Sequence, residues 1–170
     1  LTELHRQRAA ALQRASEQVA LTRARLFSAL TLTEGYAQKP VTAPKREELL
    51  RVALDLRRFR VFRHFSDVHL VQLAQFGHRE KLAHAQALTR EGQDDRDIFM
   101  VMEGTLQEIR VTPIGTQVLS TPGVGEILGE ISFIDNKPRS STILGVEAGA
   151  VLRFPAADLD RLVTRNRDLG

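Results

Sequence analysis

The first third of the chain has the hydrophobic spacing of helices. Residues 1–32 contain no Pro or Gly and are rich in Ala, Leu, Gln and Arg, all of which favour helix. Apolar residues recur there every seven positions at Leu12, Val19 and Leu26. Ala15 and Ala29 occupy the other apolar position of the same seven-residue repeat. This pattern is weak for a coiled coil, and packing against another part of a larger protein explains it equally well. We expect Gly35 to end this helix, and residues 33–45 to form a connector that contains two prolines.

Two more helices are expected before the pattern changes. One begins at about Arg46 and carries an apolar stripe. The other is short: Ser66 is placed to cap its N-terminus, and Gly77 follows its last apolar residue.

From residue 82 onward, short apolar and β-branched runs alternate with turn residues. The predicted strands are 83–88, 97–102, 105–111, 117–120, 142–146 and 151–154. Strands at this close spacing favour an antiparallel β-roll of the jelly-roll type over a βαβ sheet. After Pro155 a helical period returns. The predicted fold class is therefore α+β, with an N-terminal helical extension and helices that flank the roll.

Composition and charge narrow the functional classes. The chain has 170 residues, 42% hydrophobic and 26% charged, and no cysteine, which excludes disulfides, thiolate catalysis and iron–sulfur clusters. No stretch resembles a membrane span or a signal peptide, so a cytoplasmic setting is the default, and the start at Leu1 suggests an excised piece. Residues 1–63 carry 13 Lys/Arg and 6 Asp/Glu, whereas residues 64–170 carry 11 and 15. Solvated helix faces are the favoured explanation of the basic part, ahead of nucleic acid or an acidic membrane surface.

One segment, residues 125–142, combines groups that suit a nucleoside monophosphate. Gly129 lets the backbone approach a ligand closely, and the Glu130 carboxylate can accept from a sugar hydroxyl. A turn over residues 131–134 could direct backbone N–H groups at an anion. Arg139 carries a planar guanidinium that matches phosphate oxygens, and the Ser140 hydroxyl adds a donor.

These residues resemble the phosphate-binding cassette of cyclic nucleotide-binding domains, as in bacterial catabolite activators and regulatory subunits of cyclic AMP-dependent protein kinase. The family pattern Phe-Gly-Glu-(Leu/Ile)-Ala followed by Pro-Arg-(Ala/Ser/Thr)-Ala-Thr corresponds to residues 128–132 and 138–142. Residues 91–92 and 97–104 resemble a second family stretch, and residues 62–73 resemble the helical entry to the domain. The likeness covers residues 46–165. We call residues 125–142 the cassette.

The resemblance implies a role for each cassette residue. Glu130 would hold the ribose 2′-hydroxyl and Arg139 the cyclic phosphate, within a cage built from Gly129, Ile131, Ser132, Ser140 and Ser141. Leu119 and Ser120 fall where bacterial activators contact the base. Leu128, Ser132 and Ser141 depart from the family pattern without removing a charge that the ligand needs. Without ligand, we expect Arg139 to contribute little to the core. Glu80, Lys81 and the acidic run 94–97 are expected to be solvated turns.

Two functions remain open at this point. The first is a regulatory sensor that binds cAMP more readily than cGMP and signals to an attached effector, with no catalysis, metal or cofactor of its own. The second is an assembly module of a larger protein, in which the roll is a scaffold or a vestigial sensor. The predicted domains are residues 1–45, which would dock an effector or partner protein, and 46–170, with the lid helix of the family beyond Gly170. A homo-oligomer is also expected.

Overall fold

The computed structural model describes residues 2–37 and 43–167, with the side chains of residues 4–29, 45–162 and 164. It divides into two compact units, Leu1–Gln75 and Phe76–Gly170. The predicted domain boundary after residue 45 stays a prediction. Within the described part of the chain, no helix has the length and apolar character needed to cross a membrane.

All regular elements in the described part of the first unit are helices. The unit comprises α1 (Thr2–Ala37), α2 (Ala43–Arg58), a short 3₁₀ turn and α3 (Asp67–Ala74), and the three α-helices pack on one another. The prediction that Gly35 ends the first helix is wrong, because α1 continues to Ala37. One helical glycine costs only about 1 kcal/mol, which neighbouring turns can offset. The predicted connector is correspondingly shorter, and its residues 38–42 lie outside the described residues. Ser66 caps α3 as predicted, since its hydroxyl accepts from the His69 N–H at 3.2 Å.

The seven-residue apolar pattern of α1 is used along only part of its length. Leu26 is 0% exposed and Ala29 is 4% exposed, whereas Leu12 is 72% and Val19 57% exposed. We call this apolar face of α1 the seam. It is covered within the first unit near the C-terminal end of α1 and exposed toward the N-terminal end.

The second unit is an antiparallel β-roll, which confirms the predicted fold class. Its strands are β1 (His78–Leu82), β2 (Ala87–Thr89), β3 (Ile98–Glu103), β4 (Leu106–Thr112), β5 (Gly115–Ser120), β6 (Ile127–Leu128), β7 (Thr142–Gly145) and β8 (Gly149–Phe154). They form two four-stranded sheets, ordered β1-β8-β3-β6 and β2-β7-β4-β5. A short helix, α4 (Glu130–Asp135), interrupts the strands, and α5 (Ala156–Arg167) follows them.

The predicted strand 83–88 and the predicted solvated turn at residues 80–81 are both wrong. Glu80 and Lys81 belong to β1, which pairs with β8 although its sequence is mostly polar. The chain then turns over residues 83–86, where Ala85 has a φ of 59°. The two-residue strand β6 was also missed, since it is too short for any alternation to appear.

The core of the roll lies between the sheets. Its buried members are Leu82, Phe99, Val101, Leu106, Leu128, Ile143 and Val151. Leu128 and Ile143 are the core residues that also border the cassette, so the site is built directly on the packed interior.

Candidate functional site

Gly129 is the cassette residue that directly precedes α4. It has a φ of +86°, a left-handed conformation that L side chains rarely adopt, and it immediately precedes α4. A Cβ at this position would lie 2.4 Å from Nη1 of Arg139 and 2.6 Å from the carbonyl oxygen of Asp97. Glycine is thus required by both conformation and space, and it brings the backbone against the Arg139 guanidinium.

The three residues after Gly129 form the first turn of α4. Glu130 is exposed, and no hydrogen bond or ion pair of its carboxylate occurs within residues 2–37 and 43–167. Ile131 is also exposed, whereas Ser132 is buried. The predicted turn over 131–134 is therefore a short helix, and Glu130 leaves its carboxylate available to a ligand.

Arg139 is the buried charge of the site. The residue is 4% exposed, and its Nη2 donates to the Asp95 carboxylate and, at 2.6 Å, to the carbonyl oxygen of Asp97. Its Nη1 lies 3.4 Å from the carbonyl oxygen of Gly129, and its Cζ lies 5.3 Å from the centre of the Phe99 ring. The buried Nε–H has no hydrogen-bond partner in the part of the chain that the structure describes. The guanidinium is therefore held on one side and retains donors for an anion.

The acidic run 94–97 is not a solvated turn, and this prediction is wrong. The loop between β2 and β3 clamps Arg139 by its backbone as well as its side chain. The Arg139 N–H donates to the carbonyl of Gln93 at 3.0 Å, and its own carbonyl accepts from Gly92 at 2.8 Å. Asp95, whose side chain is 17% exposed, supplies the counter-charge. The expectation that Arg139 contributes little without ligand is wrong for the same reason, because it ties this loop to the cassette.

Asp95 titrates abnormally because of this pair. Its burial favours the neutral carboxyl, but hydrogen bonding from Arg139, the charge of Arg139 and a hydrogen bond from Thr89 outweigh that effect. The pKa of Asp95 is consequently lowered from its ordinary value of 3.8. The Thr89 hydroxyl donates to Oδ2 of Asp95 at 3.0 Å.

Asp97 connects the site to the C-terminal helix. Its carbonyl accepts from Arg139, while its carboxylate accepts from the Ala156 N–H at 2.8 Å and from Nε of Arg153 at 2.6 Å. Ala156 is the first residue of α5. Arg153 also donates to Glu80 at 3.2 Å, and although its burial lowers its pKa, these two acidic partners raise it overall. Asp97 thus contacts both Arg139, the candidate phosphate-binding residue, and the first residue of α5.

Glu108 is an acidic wall of the site that sequence reasoning missed. It lies on β4, lines the pocket and accepts hydrogen bonds from Ser141 and, at 2.8 Å, from Ser120. Arg110, two residues along the same strand, donates to the Ser140 carbonyl at 3.1 and 3.2 Å. A charged residue at the position of Glu108, two residues after the buried Leu106 on the same face of β4, is unusual for a core and could have signalled a site.

The pocket collects most of the predicted binding residues. Its lining consists of Glu108, Leu128, Gly129, Glu130, Ile131, Ser132, Arg139, Ser140, Ser141 and Ile143. Leu119 and Ser120 are exposed on β5 and are not part of this lining, although Ser120 is one hydrogen bond from it through Glu108. The binding role of all nine predicted residues stays a prediction.

Comparisons with known proteins indicate the family of this domain. The sequence profile of the cyclic nucleotide-binding domain family matches residues 79–166, just over half of the 170-residue chain. Among curated proteins, the Pycsar effector protein PaPycTIR of Pseudomonas aeruginosa is 28% identical over 88 residues, which cover 51% of this chain and 27% of that protein.

Two solved structures have a similar fold. The N-terminal domain of a transcriptional regulator from Streptomyces coelicolor A3(2) has a TM-score of 0.60 and 26% identity, and the match covers 67% of this chain and 82% of that one. The regulatory domain of Toxoplasma gondii PKA with cAMP has a TM-score of 0.59 and 20% identity over 72% of this chain and 46% of that one.

This chain spans about a quarter of the length of the curated relatives it matches. The matched residues nevertheless include the whole cassette, the loop that clamps Arg139 and most of α5. The chain belongs to the cyclic nucleotide-binding domain family.

Proposed function

We propose that this chain is a regulatory sensor that binds a cyclic mononucleotide in the cassette pocket, cAMP at least as well as cGMP, and signals to an attached effector. The observation that carries the proposal is the buried guanidinium of Arg139 in the wall of a pocket beside Gly129 and Glu130. A buried charge is costly unless partners satisfy it, and a structural ion pair alone gives no reason for it to line an open pocket.

The ligand class follows from the donors and acceptors that face the pocket. Arg139 lines the pocket, and its Nε–H has no hydrogen-bond partner among the described residues, so this guanidinium N–H remains a donor for a phosphate oxygen. The Glu130 carboxylate accepts hydrogen bonds only, which suits a sugar hydroxyl. The preference for cAMP rests on Ser140 in place of the Thr that commonly follows the cassette arginine in relatives selective for cGMP.

Signal transmission would run through Asp97. Because the Asp97 carbonyl holds Arg139 and its carboxylate holds the first N–H of α5, a shift of Arg139 toward a phosphate pulls on both contacts. The orientation of α5 then differs between the free and liganded states. Coupling of this kind is reciprocal, so an effector that holds α5 in one orientation changes nucleotide affinity by the same factor.

A second candidate is a docking module whose roll serves as scaffold. The observation in its favour is the uncovered apolar seam of α1 at Leu12 and Val19. The two roles are compatible, because a sensor of this size needs an effector, either in the same polypeptide in the cytoplasm or in a partner. The catalytic activity, if the full-length protein has one, would belong to that effector.

Isothermal titration with cAMP, cGMP and non-cyclic 5′-AMP tests the sensor. We expect saturable binding of both cyclic nucleotides with cAMP at least as tight, and a thermal stabilisation of about 2.7 kcal/mol at 100 times the dissociation constant. Arg139→Ala should weaken binding at least about 30-fold, since loss of one partner of a buried charged hydrogen bond costs about 2–5 kcal/mol. Glu130→Ala should cost less, because it removes a contact to a neutral hydroxyl.

Lys137→Ala is the matched control. Lys137 is an exposed cation two residues before Arg139, so its loss changes the net charge equally and should leave affinity within a few-fold. Binding by Arg139→Ala at the parental affinity would exclude the cassette as the site. Binding of cGMP ten times tighter than cAMP would overturn the base preference alone.

A further inference from the structure

A groove between α1 and α2 is lined by five arginines. It encloses about 660 Å³ and lies entirely within the first unit. Its lining is Gln18, Val19, Thr22, Arg25, Arg51, Leu54, Asp55, Arg57, Arg58 and Arg63. We call this feature the arginine groove. The sensor function does not use it.

The rim of the arginine groove has more positive charge than its neighbours neutralise. Arg25 and Arg57 share one carboxylate, that of Asp67. Arg58 is largely exposed and lies 3.9 Å from Asp55, which is a weak pair. The five arginines therefore face two nearby aspartates, and this surplus favours an acidic occupant.

Val19 and Leu54 are the apolar residues in the lining of the groove, and exposed apolar positions continue along α1. Val19 is exposed in the groove, and a second shallow depression one heptad earlier is lined by Arg8, Ala11 and Leu12. Leu12 and Val19 share one face of α1 and lie about 10 Å apart along its axis. At least one arginine lies beside each of these two apolar positions. The arrangement suits a partner helix whose apolar residues also recur every seven positions and whose flanking residues are acidic.

We infer that the arginine groove and the exposed seam of α1 bind an acidic amphipathic helix of a partner. A second copy of α1 fits poorly, because described residues of α1 include five arginines and three glutamates, so two copies would bring like charges together. Nucleic acid fits poorly as well. The lining contains no aromatic residue on which a base could stack, and it includes the apolar side chains of Val19 and Leu54.

The test is fluorescence anisotropy of labelled synthetic helices with the full chain. The first peptide has about three heptads with Leu at the two apolar positions and Glu at the flanking positions. The second replaces Glu by Lys, and the third scrambles the first. We expect the acidic amphipathic peptide to bind at least about tenfold more tightly than either of the others, a difference of 1.4 kcal/mol.

Matched variants locate the binding. Arg51→Glu and Val19→Asp should each weaken the acidic peptide at least about tenfold, because they reverse a rim charge and place a charge in an apolar seat. Arg6→Glu and Ala20→Asp introduce the same charges at exposed positions on the opposite side of α1 from the groove lining, and should have little effect. The helical circular dichroism signal and the unfolding temperature should be unchanged in all four variants, which verifies that the helical unit is folded.

Four outcomes would overturn the inference. They are equal binding of the scrambled peptide, equal binding of the Lys peptide, tighter binding of a short DNA duplex, and self-association that Val19→Asp abolishes. None of them bears on the cassette, so the proposed sensor function would stand or fall separately by the titrations with Arg139→Ala.

Discussion

Replacing Asp95 by Asn should destabilise the unliganded roll and strengthen nucleotide binding. The variant keeps the shape of the side chain and removes the charge that neutralises Arg139, whose side chain is 3% exposed. Breaking a buried ion pair costs about 3–5 kcal/mol. Asp95 is 17% exposed, and Asn retains an acceptor for the Asp97 N–H, so we expect a loss near the lower limit, about 2–3 kcal/mol.

The opposite effect on affinity follows from the same pair. In the parent protein, Arg139 is already neutralised when a cyclic phosphate arrives, whereas in Asp95→Asn the phosphate becomes its counter-charge. If the ligand recovers about half of the lost stability, roughly 1.4 kcal/mol, binding becomes about tenfold tighter. On this account Asp95 competes with the phosphate for Arg139 and neutralises the guanidinium in the free site.

Thermal unfolding and calorimetry measure the two effects. For a domain of about 100 residues, 2–3 kcal/mol lowers Tm by roughly 10 °C or more, and saturating cAMP should narrow that gap. Asp94→Asn is the control, since Asp94 is exposed and immediately precedes Asp95. An unliganded Tm equal to that of the parent would refute the ion pair. Weaker nucleotide binding by Asp95→Asn would show that Asp95 orients Arg139 toward the phosphate instead of competing with it.

Three further outcomes are expected. Because the pKa of Asp95 is lowered in the folded state, its contribution to stability is fully present above about pH 5 and is lost as pH falls through about 4 and below. The difference in unfolding free energy between the parent and Asp95→Asn should therefore shrink over that range. A difference that stays constant down to about pH 2 would contradict this account. Gly129→Ala should cost about 2–4 kcal/mol, because its Cβ would overlap Arg139 and its φ is positive, whereas Gly123→Ala, with nothing nearer than 3.8 Å, should be nearly neutral in the same denaturant titration. Glu108→Gln should reduce affinity for cGMP relative to cAMP a few-fold, since only a carboxylate accepts well from two adjacent N–H groups of guanine; an unchanged ratio by calorimetry would place the base away from Glu108.

The cassette could be read from the sequence because its chemistry is local. Glu130 and Arg139 are nine positions apart, and their residue types and flanking glycine and proline lie within one short segment. The helices and most strands were also predictable, since each depends on a periodicity of neighbouring positions. The two-residue strand β6 and the polar strand β1 were not, because pairing with distant strands determines them.

The partners of the cassette could not be predicted for the same reason. Asp95 and Arg139 are 44 positions apart, and Glu108 and Ser141 are 33 apart. Nothing in an Asp-rich run distinguishes a solvated turn from a buried counter-charge until the fold brings it to an arginine. A buried arginine needs acidic or carbonyl partners, so the cassette sequence implies that such partners exist but does not give their positions.

The position of Asp97 also has a consequence for timing. One residue contacts both Arg139 and the first N–H of α5, so in the proposed sensor ligand capture would act on the helix through a single residue. Exchange of a few hydrogen bonds and movement of a short helix take microseconds to milliseconds. Nucleotide dissociation is ordinarily slower than this. In such a sensor, the rate of the response to a falling nucleotide concentration would equal the dissociation rate of the nucleotide. The duration of the signal would then be set by the residence time of the ligand.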